Sequence, residues 1–599
     1  MRSSRLVALA VPVAVFGVYL VTLYPTVGWV DCGEIAAGCY MLNVLHPTGY
    51  PLYTLIGFLF SHLPLGTVVA RVNALSALFS ALAAMFCFLA VLRLTRSQVA
   101  GLVTAALYAF SLTVWSNSVD ADVFGLTALY VSLTVYLLLP ASGGRQQNLL
   151  LVAYVLGLAL TNHMSFASTF VGALVCVILV YRRELFRVHV LTALVAFFLL
   201  GLTPYLYLLI RSQTWPLFNW GNAHNLERLI WHVTGKQYQV WMFSLPFSEI
   251  LGNLGRALGM LAQELYFVLI PVLLWGMWLL WKKRREIFWL LGVIFLLNIL
   301  YAANYSIPDI QSYYVPFMIA AFIFTGVGLA EVMKRLRKVP SYVFLLLVLI
   351  PPAINFRRAG AQGNYISEDF GRNYLKSMPE NALVMTANWD MYSPIFYLRY
   401  IQKERPDVCV IDKELLRRSW YVQGLRYEYP WLYERSRSEI EAYLRYNDEF
   451  EHNTLRDPAG IQNAFVAMIN SFVTKNPERR SFLTFDDRSD ADAKSILPAR
   501  KRIPFGLLYE LEIGDTMPHR VPISFDYAQF IIRRPNLELD YRTKVNMSTY
   551  ERLATERAAY LLQMERRDEA RATLDWVLKE FPGSAAATNL RSRLQTHDE

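Results

Sequence analysis

The sequence predicts a polytopic α-helical membrane domain, then a soluble α/β domain, then a C-terminal helical hairpin. Three observations predict it. Apolar residues make up 55% of the chain and charged residues only 17%, against about a quarter charged in soluble proteins. The deficit is local: residues 1–356 are apolar, while 357–548 and 549–599 have ordinary soluble composition. Short basic loops alternate along the apolar part with loops free of Lys and Arg. The 599 residues exceed what one core needs. The formal charge of +10 lies largely in those short loops, so it gives no nucleic-acid signal. Five cysteines show no metal spacing. Cys32 and Cys39 could pair if their loop faces an oxidising compartment.

Apolar runs near 6–24, 68–92, 99–115, 122–140, 147–161, 164–181, 188–210, 262–281, 287–303, 315–333 and 340–356 predict about eleven spans. The first follows Arg2 and Arg5. It is long for a signal peptide and lacks a small-x-small cleavage site, so it reads as a helix. Basic residues then orient the chain. Alternate loops carry Arg93 and Arg96; Arg145; Arg182, Arg183 and Arg187; Lys282 to Arg285; and Lys334, Arg335, Arg337 and Lys338. The loops 25–67, 116–121 and 304–314 carry none. The N-terminus is therefore expected in the cytoplasm. The 25–67 loop and the soluble part are expected on the opposite face. One outside loop, 211–261, is basic, with Arg211, Arg228, Lys236 and Arg256.

In the soluble part, residues 382–386 and 408–411 read as strands around a helix at 393–403, which is a βαβ unit. Asp390 follows the first strand, where such folds place ligands and where a helix cap also sits. Further short strands are expected at 481–485 and 529–532. Asp486, Asp487, Asp490 and Asp492 offer either a cation site or a solvated loop. Residues 549–596 read as two helices split by Phe581-Pro582-Gly583, with apolar residues at tetratricopeptide spacing. They would cap the α/β domain or offer a groove to a protein partner.

The chemistry-bearing residues gather in the outside loops. Trp29-Val30-Asp31-Cys32-Gly33-Glu34 places two carboxylates three residues apart, on one face if helical. His46-Pro47-Thr48-Gly49-Tyr50-Pro51-Leu52-Tyr53 follows in the same loop. Asp120 and Asp122 open the fourth run; acids at a membrane boundary either function or cap the helix. His163 lies at the turn between the fifth and sixth runs. Arg211, Trp220, Asn222 and Lys236 lie in the basic outside loop, where Arg suits a phosphate or a headgroup. Asp309 and Tyr313 precede Pro316, lining a cavity or forming an aromatic belt.

These runs resemble a large bacterial membrane family that groups with the protein O-mannosyltransferase-like GT-C glycosyltransferases. The resemblance rests on the Asp31 loop, the His46–Tyr53 run, Asn219-Trp220-Gly221-Asn222, Gln237-Tyr238, Asp309 with Tyr313-Tyr314-Val315-Pro316, and the βαβ unit ending at Arg405-Pro406-Asp407-Val408. It implies a GT-C-type membrane domain whose first outside loop carries the catalytic acid: Asp31, with Glu34 as the alternative. It implies that His46, Tyr50, Asp120, Asp122, Trp220, Asn222, Asp309 and Tyr313 contact the donor's phosphate and sugar, and beside it Arg211, Lys236 or His163 is expected to balance the phosphate. The donor would be a polyprenyl-phosphate sugar. The acceptor would be a hydroxyl of an exported protein, or a glycolipid. No cofactor or bound metal is implied, although a divalent cation stays open. The expected location is the bacterial inner membrane with the soluble part periplasmic. The competing expectations are a lipid-linked sugar flippase and a secretion scaffold.

Overall fold

The structure is a computed structural model and describes residues 2–139, 145–185, 187–307, 309–336, 338–485, 495–497, 502–511 and 524–596. The four acids between 486 and 492 lie outside the described residues. The chain forms two units. The first comprises Met1–Pro25 and Gly38–Gly363, the second Thr26–Ala37 and Asn364–Glu599. The segment 26–37 therefore groups with the C-terminal part of the chain. The expected boundaries at 356 and 548 fall inside the helices Leu346–Ala359 and Tyr541–Gln563. All five cysteines are free and buried.

Among the described residues of the first unit, seven helices are long and apolar enough to cross a membrane: Ser4–Val21, Val68–Thr95, Met164–Leu185, Val188–Gln213, Arg285–Ala303, Ile310–Arg335 and Ser341–Ala359. The other apolar runs fold as shorter or broken helices. The run at 99–115 divides into Gln98–Ala109 and Leu112–Ser118, bent by 64°, an eighth span if taken as one. Two groups cap the second piece at the break. The Ser111 hydroxyl accepts from Val114 N (3.4 Å), and the buried Glu264 carboxylate accepts from Leu112 N and Thr113 N at 3.0 and 2.9 Å. The runs at 122–140 and 147–161 give the shorter helices Phe124–Leu138 and Asn148–Leu160. The run at 262–281 is divided between Phe247–Glu264 and Ile270–Lys283, with Tyr266 and Phe267 between them at φ 50° and 57°. Hydropathy counts side chains and does not see these backbone breaks. Val315–Arg335 runs through the centre of the unit, buried from Val315 to Ala330. The Asn298 side chain holds its start, accepting from Phe317 N and donating to Tyr313 O at 3.1 Å each.

The second unit is built on a five-stranded sheet of β1 Leu383–Thr386, β2 Cys409–Asp412, β3 Ser481–Leu483, β4 Arg502–Phe505 and β5 Leu508–Leu511. The order is β2-β1-β3-β5-β4, with β1 parallel to its neighbours β2 and β3, β5 antiparallel to β3, and β4 antiparallel to β5. β1, the helix Trp389–Tyr400 and β2 are the expected βαβ unit. Residues 529–532 are not a strand; Tyr527–Gln529 forms a 3₁₀ turn. The Asn373 carboxamide takes both backbone groups of Ile531, at 2.7 and 3.2 Å, where a neighbouring strand would have paired them. Three helices close the chain, Tyr541–Gln563, Arg567–Glu580 and Ala585–Thr596, packed on Leu561, Ala570 and Leu594.

Candidate active site

Asp31 begins a helix. Its carbonyl accepts from Ile35 N at 2.8 Å, and the helix Cys32–Met41 follows, with Glu34 in its first turn. An acid at the cap and a second three residues on both sit at the positive helix end, which favours negative charge. A carboxylate oxygen of Asp31 and one of Glu34 lie within 4.8 Å of each other. Glu34 is buried and Asp31 partly so.

Residues of the second unit hold this turn. The Trp389 indole N–H donates to Asp31 Oδ1 at 2.8 Å. Val30 N donates to Asp390 Oδ1 at 3.3 Å, and Glu34 N to Ser393 Oγ at 3.2 Å. Trp389, Asp390 and Ser393 share the first turns of the helix after β1, so one helix end addresses three consecutive parts of the loop. Trp29 packs edge-on against Phe370 at 5.4 Å and donates to Thr543 Oγ1 at 2.9 Å. The Ser367 hydroxyl donates to Gly28 O at 2.7 Å. Val30 stands at φ 54°, which a β-branched residue adopts only under constraint. Asp390 is not the helix cap. Asn388 is, accepting from Asp390 N at 3.0 Å. The Asp390 carboxylate instead also accepts from Arg542 Nη1 and Asn546 Nδ2, at 2.9 Å each.

Gly33 must be glycine. A Cβ there would lie 2.1 Å from the Ser393 carbonyl oxygen. Gly33→Ala is expected to destabilise the protein by about 1–3 kcal/mol through overpacking. A lower thermal midpoint, together with faster hydrogen exchange in 26–37, checks it.

Several other sequence-predicted residues come together in the first unit. His46 Nε2 lies 2.8 Å from the Tyr50 hydroxyl, which donates to Pro47 O. Tyr50 stacks on His163 at 6.1 Å, His163 meets Tyr313 edge-on at 4.7 Å, and His46 meets Trp220 at 6.0 Å. A bridge between Val44 and Asn219 joins the two motif segments. Asn222 Oδ1 accepts from Asn219 Nδ2 at 3.2 Å. His163 caps the turn after it, its Nδ1 accepting from Ser165 N at 3.1 Å. Asp122 Oδ1 accepts from Phe124 N at 3.2 Å and Asp120 Oδ1 from Ala121 N at 2.8 Å, while the cap of the helix Phe124–Leu138 is Val123 and neither acid.

The remaining candidates are placed differently. Arg211 donates to the carbonyls of Leu42 and Met41, at 2.6 and 3.2 Å, closing the C-terminal end of the helix Cys32–Met41. Lys236 Nζ lies 3.3 Å from the Trp231 ring centre, which Arg228 also covers. Asp309 precedes the 3₁₀ turn Ile310–Tyr314, and its carbonyl accepts from Ser312 N.

Sequence reasoning missed Trp389 as a partner of Asp31, and it missed His232. Gly49 and Gly221, at φ 89° and 67°, press on the buried His232 ring. A Cβ on them would lie 2.8 Å from Nε2 and 2.6 Å from Nδ1. The shared glycines of the two motifs were the available signal. Burial, then the nearby His46, lowers the His232 pKa from 6.5 to about 3. The folded protein therefore keeps this ring neutral while the unfolded chain protonates it below about 6.5. That contribution to stability is present above pH 6.5 and is lost as pH falls towards 3. Thermal midpoints at pH 7 and pH 5 should fall less on acidification in His232→Leu than in the parent.

The fold and the paired acids define a polytopic membrane protein with a soluble α/β unit that grips a short acid-bearing loop. Comparison with known proteins gives its relatives. A family model described as "Protein O-mannosyl-transferase TMEM260 N-terminal domain" matches residues 31–187, and one described as "TMEM260-associated domain 2" matches 367–489. The chain is 29% identical to protein O-mannosyl-transferase TMEM260 of Mus musculus, over 71% of this chain and 65% of that protein. It is 24% identical to protein O-mannosyl-transferase tmem260 of Dictyostelium discoideum, over 67% of this chain and 56% of that protein. The chain thus spans less than two thirds of these curated relatives. It is related to the TMEM260 protein O-mannosyl-transferases. Among solved structures, ArnT from Cupriavidus metallidurans bound to undecaprenyl phosphate aligns at 12% identity and TM-score 0.45, over 69% of this chain and 91% of that one. The Archaeoglobus fulgidus oligosaccharyltransferase in complex with Zn and sulfate aligns at 12% and TM-score 0.38, over 69% of each chain.

Proposed function

We propose that this chain is an inverting glycosyltransferase. It moves a hexose, mannose in the first instance, from a polyprenyl-phosphate carrier to a Ser or Thr hydroxyl of an exported protein. The observation that carries this reading is the Asp31–Glu34 pair, two carboxylates at one helix start with Asp31 held by an indole N–H. The names of the mouse and Dictyostelium relatives support the sugar and the acceptor. Asp31 takes the proton of the acceptor hydroxyl as its oxygen attacks the anomeric carbon. The bond from that carbon to the phosphate oxygen breaks, and the lipid phosphate leaves as an anion that needs no proton. One base therefore suffices, whereas hydrolysis of a glycoside needs two carboxylates. Glu34 orients Asp31 or replaces it.

The His46–Tyr50–His163–Trp220–Tyr313 cluster, with Asp120, Asp122, Arg211, Asn222, Lys236 and Asp309, is proposed to serve the donor. Each residue is tested by the donor KM of its variant. The alternation of basic loops supports a cytoplasmic N-terminus and a periplasmic second unit in a bacterial inner membrane. Mass spectrometry of envelope proteins with and without this chain tests the whole reading. Loss of a hexose from specific Ser or Thr residues is expected. An unchanged glycosylation pattern, with labelled lipid donor still crossing vesicles, would replace the transferase with a flippase.

A further inference from the structure

We propose that Trp389 is a positioning residue for Asp31, so that a side chain of the soluble α/β fold sets the orientation and charge of the base. The inference rests on the reading of Asp31 as that base. Open α/β folds bind ligands just past the C-terminal ends of their parallel strands. Here that place, immediately after β1, presents Trp389 to the loop 26–37. The indole is fixed on three sides of its backbone and ring. Asn388 caps its helix, Thr386 Oγ1 accepts from Asn388 N at 2.9 Å, and the ring stacks on Tyr392 at 5.5 Å and 24°.

An indole N–H suits the task. It donates, cannot accept and does not titrate in the working range. It therefore stabilises the ionised carboxylate without competing for the proton that the base must collect. Its bond to Oδ1 fixes the plane of the carboxylate, while Asp390 and Ser393 on the same helix end fix the backbone on either side. Asp31 falls in the region matched as the TMEM260 N-terminal domain and Trp389 in the one matched as associated domain 2. The bond gives the associated domain a part in the chemistry.

The test uses the full-length protein in membranes with polyprenyl-phosphate mannose and a Ser/Thr peptide, comparing Trp389→Phe, Trp389→Tyr and Asp31→Asn. Removing a donor to the charged form raises the pKa of the base, so the acidic limb of the kcat profile moves to higher pH. Trp389→Phe is expected to lose about tenfold or more in kcat, with donor KM within about twofold and the limb raised by about one pH unit. Trp389→Tyr, which keeps a ring and offers an O–H, should recover part of both. If Trp389→Phe does not fold, the pH profile of Trp389→Tyr decides. A wild-type kcat and limb in Trp389→Phe beside an inactive Asp31→Asn would overturn the inference and leave the base assigned. So would equal rate losses in both Trp389 variants with an unmoved limb. An active Asp31→Asn protein would instead strike the base itself.

Discussion

Asp31→Asn is expected to fold normally and lose about 10²–10⁴-fold in kcat, the range contributed by a positioned general base. The substitution is chosen for what it keeps. An Asn side-chain oxygen still accepts the Trp389 N–H, because that role needs an acceptor and not a charge. What disappears is the basic oxygen. Donor KM should stay within a small factor, since the loss falls in the transition state. Glu34→Gln provides the comparison. If Glu34 orients Asp31, its loss costs less than the loss of Asp31; if Glu34 is the base, the order reverses. Transfer of labelled sugar to a Ser/Thr peptide, with thermal midpoints as the folding control, reads the difference. Undiminished transfer by Asp31→Asn would remove Asp31 from the mechanism.

What was legible in the sequence was local. Two acids three residues apart share a face if their segment is helical, because the helix repeat fixes that geometry. A β-prone run, a turn and an amphipathic stretch predict the βαβ unit for the same reason. What was not legible depends on partners far away in the chain. Asp31 and Trp389 are separated by 358 residues, Val30 and Asp390 by 360, and no periodicity records such a pairing. Asp390 therefore read as a cap or a ligand site, when its carboxylate gathers Val30, Arg542 and Asn546. The helix breaks were illegible for a different reason. Hydropathy marked eleven apolar runs, but Ser111, Glu264 and the positive φ angles at Tyr266 and Phe267 end helices inside or between them. Arg211 read as a phosphate or headgroup ligand from its type alone, without its backbone partners. The carbonyls of Met41 and Leu42, which take its donors, belong to a helix end more than 160 residues earlier.

Asp390→Ala is expected to loosen the turn that carries Asp31. Three donors lose their acceptor together: Val30 N at 3.3 Å, Arg542 Nη1 at 2.9 Å and Asn546 Nδ2 at 2.9 Å. The Asp390 side chain is 12% exposed and that of Arg542 30%, so water can re-solvate the guanidinium only in part. Removing one partner of a buried ion pair typically costs 3–5 kcal/mol, and the partial exposure of Arg542 puts the loss near about 3 kcal/mol. Val30, a β-branched residue at φ 54°, can relax once its N–H is released, which loosens the turn while offsetting a little of that cost. The thermal midpoint should drop by several degrees, amides 26–34 should exchange faster, and transfer should fall because Asp31 follows Val30 in the same turn. Asp390→Asn separates charge from connectivity. It keeps an oxygen for Val30 N and Arg542 Nη1 and loses the ion-pair charge and the acceptor of Asn546 Nδ2, so its losses should lie between those of the parent and Asp390→Ala. Parent-like exchange in Asp390→Ala would mean that the turn holds itself, and that the helix after β1 contributes nothing to its order.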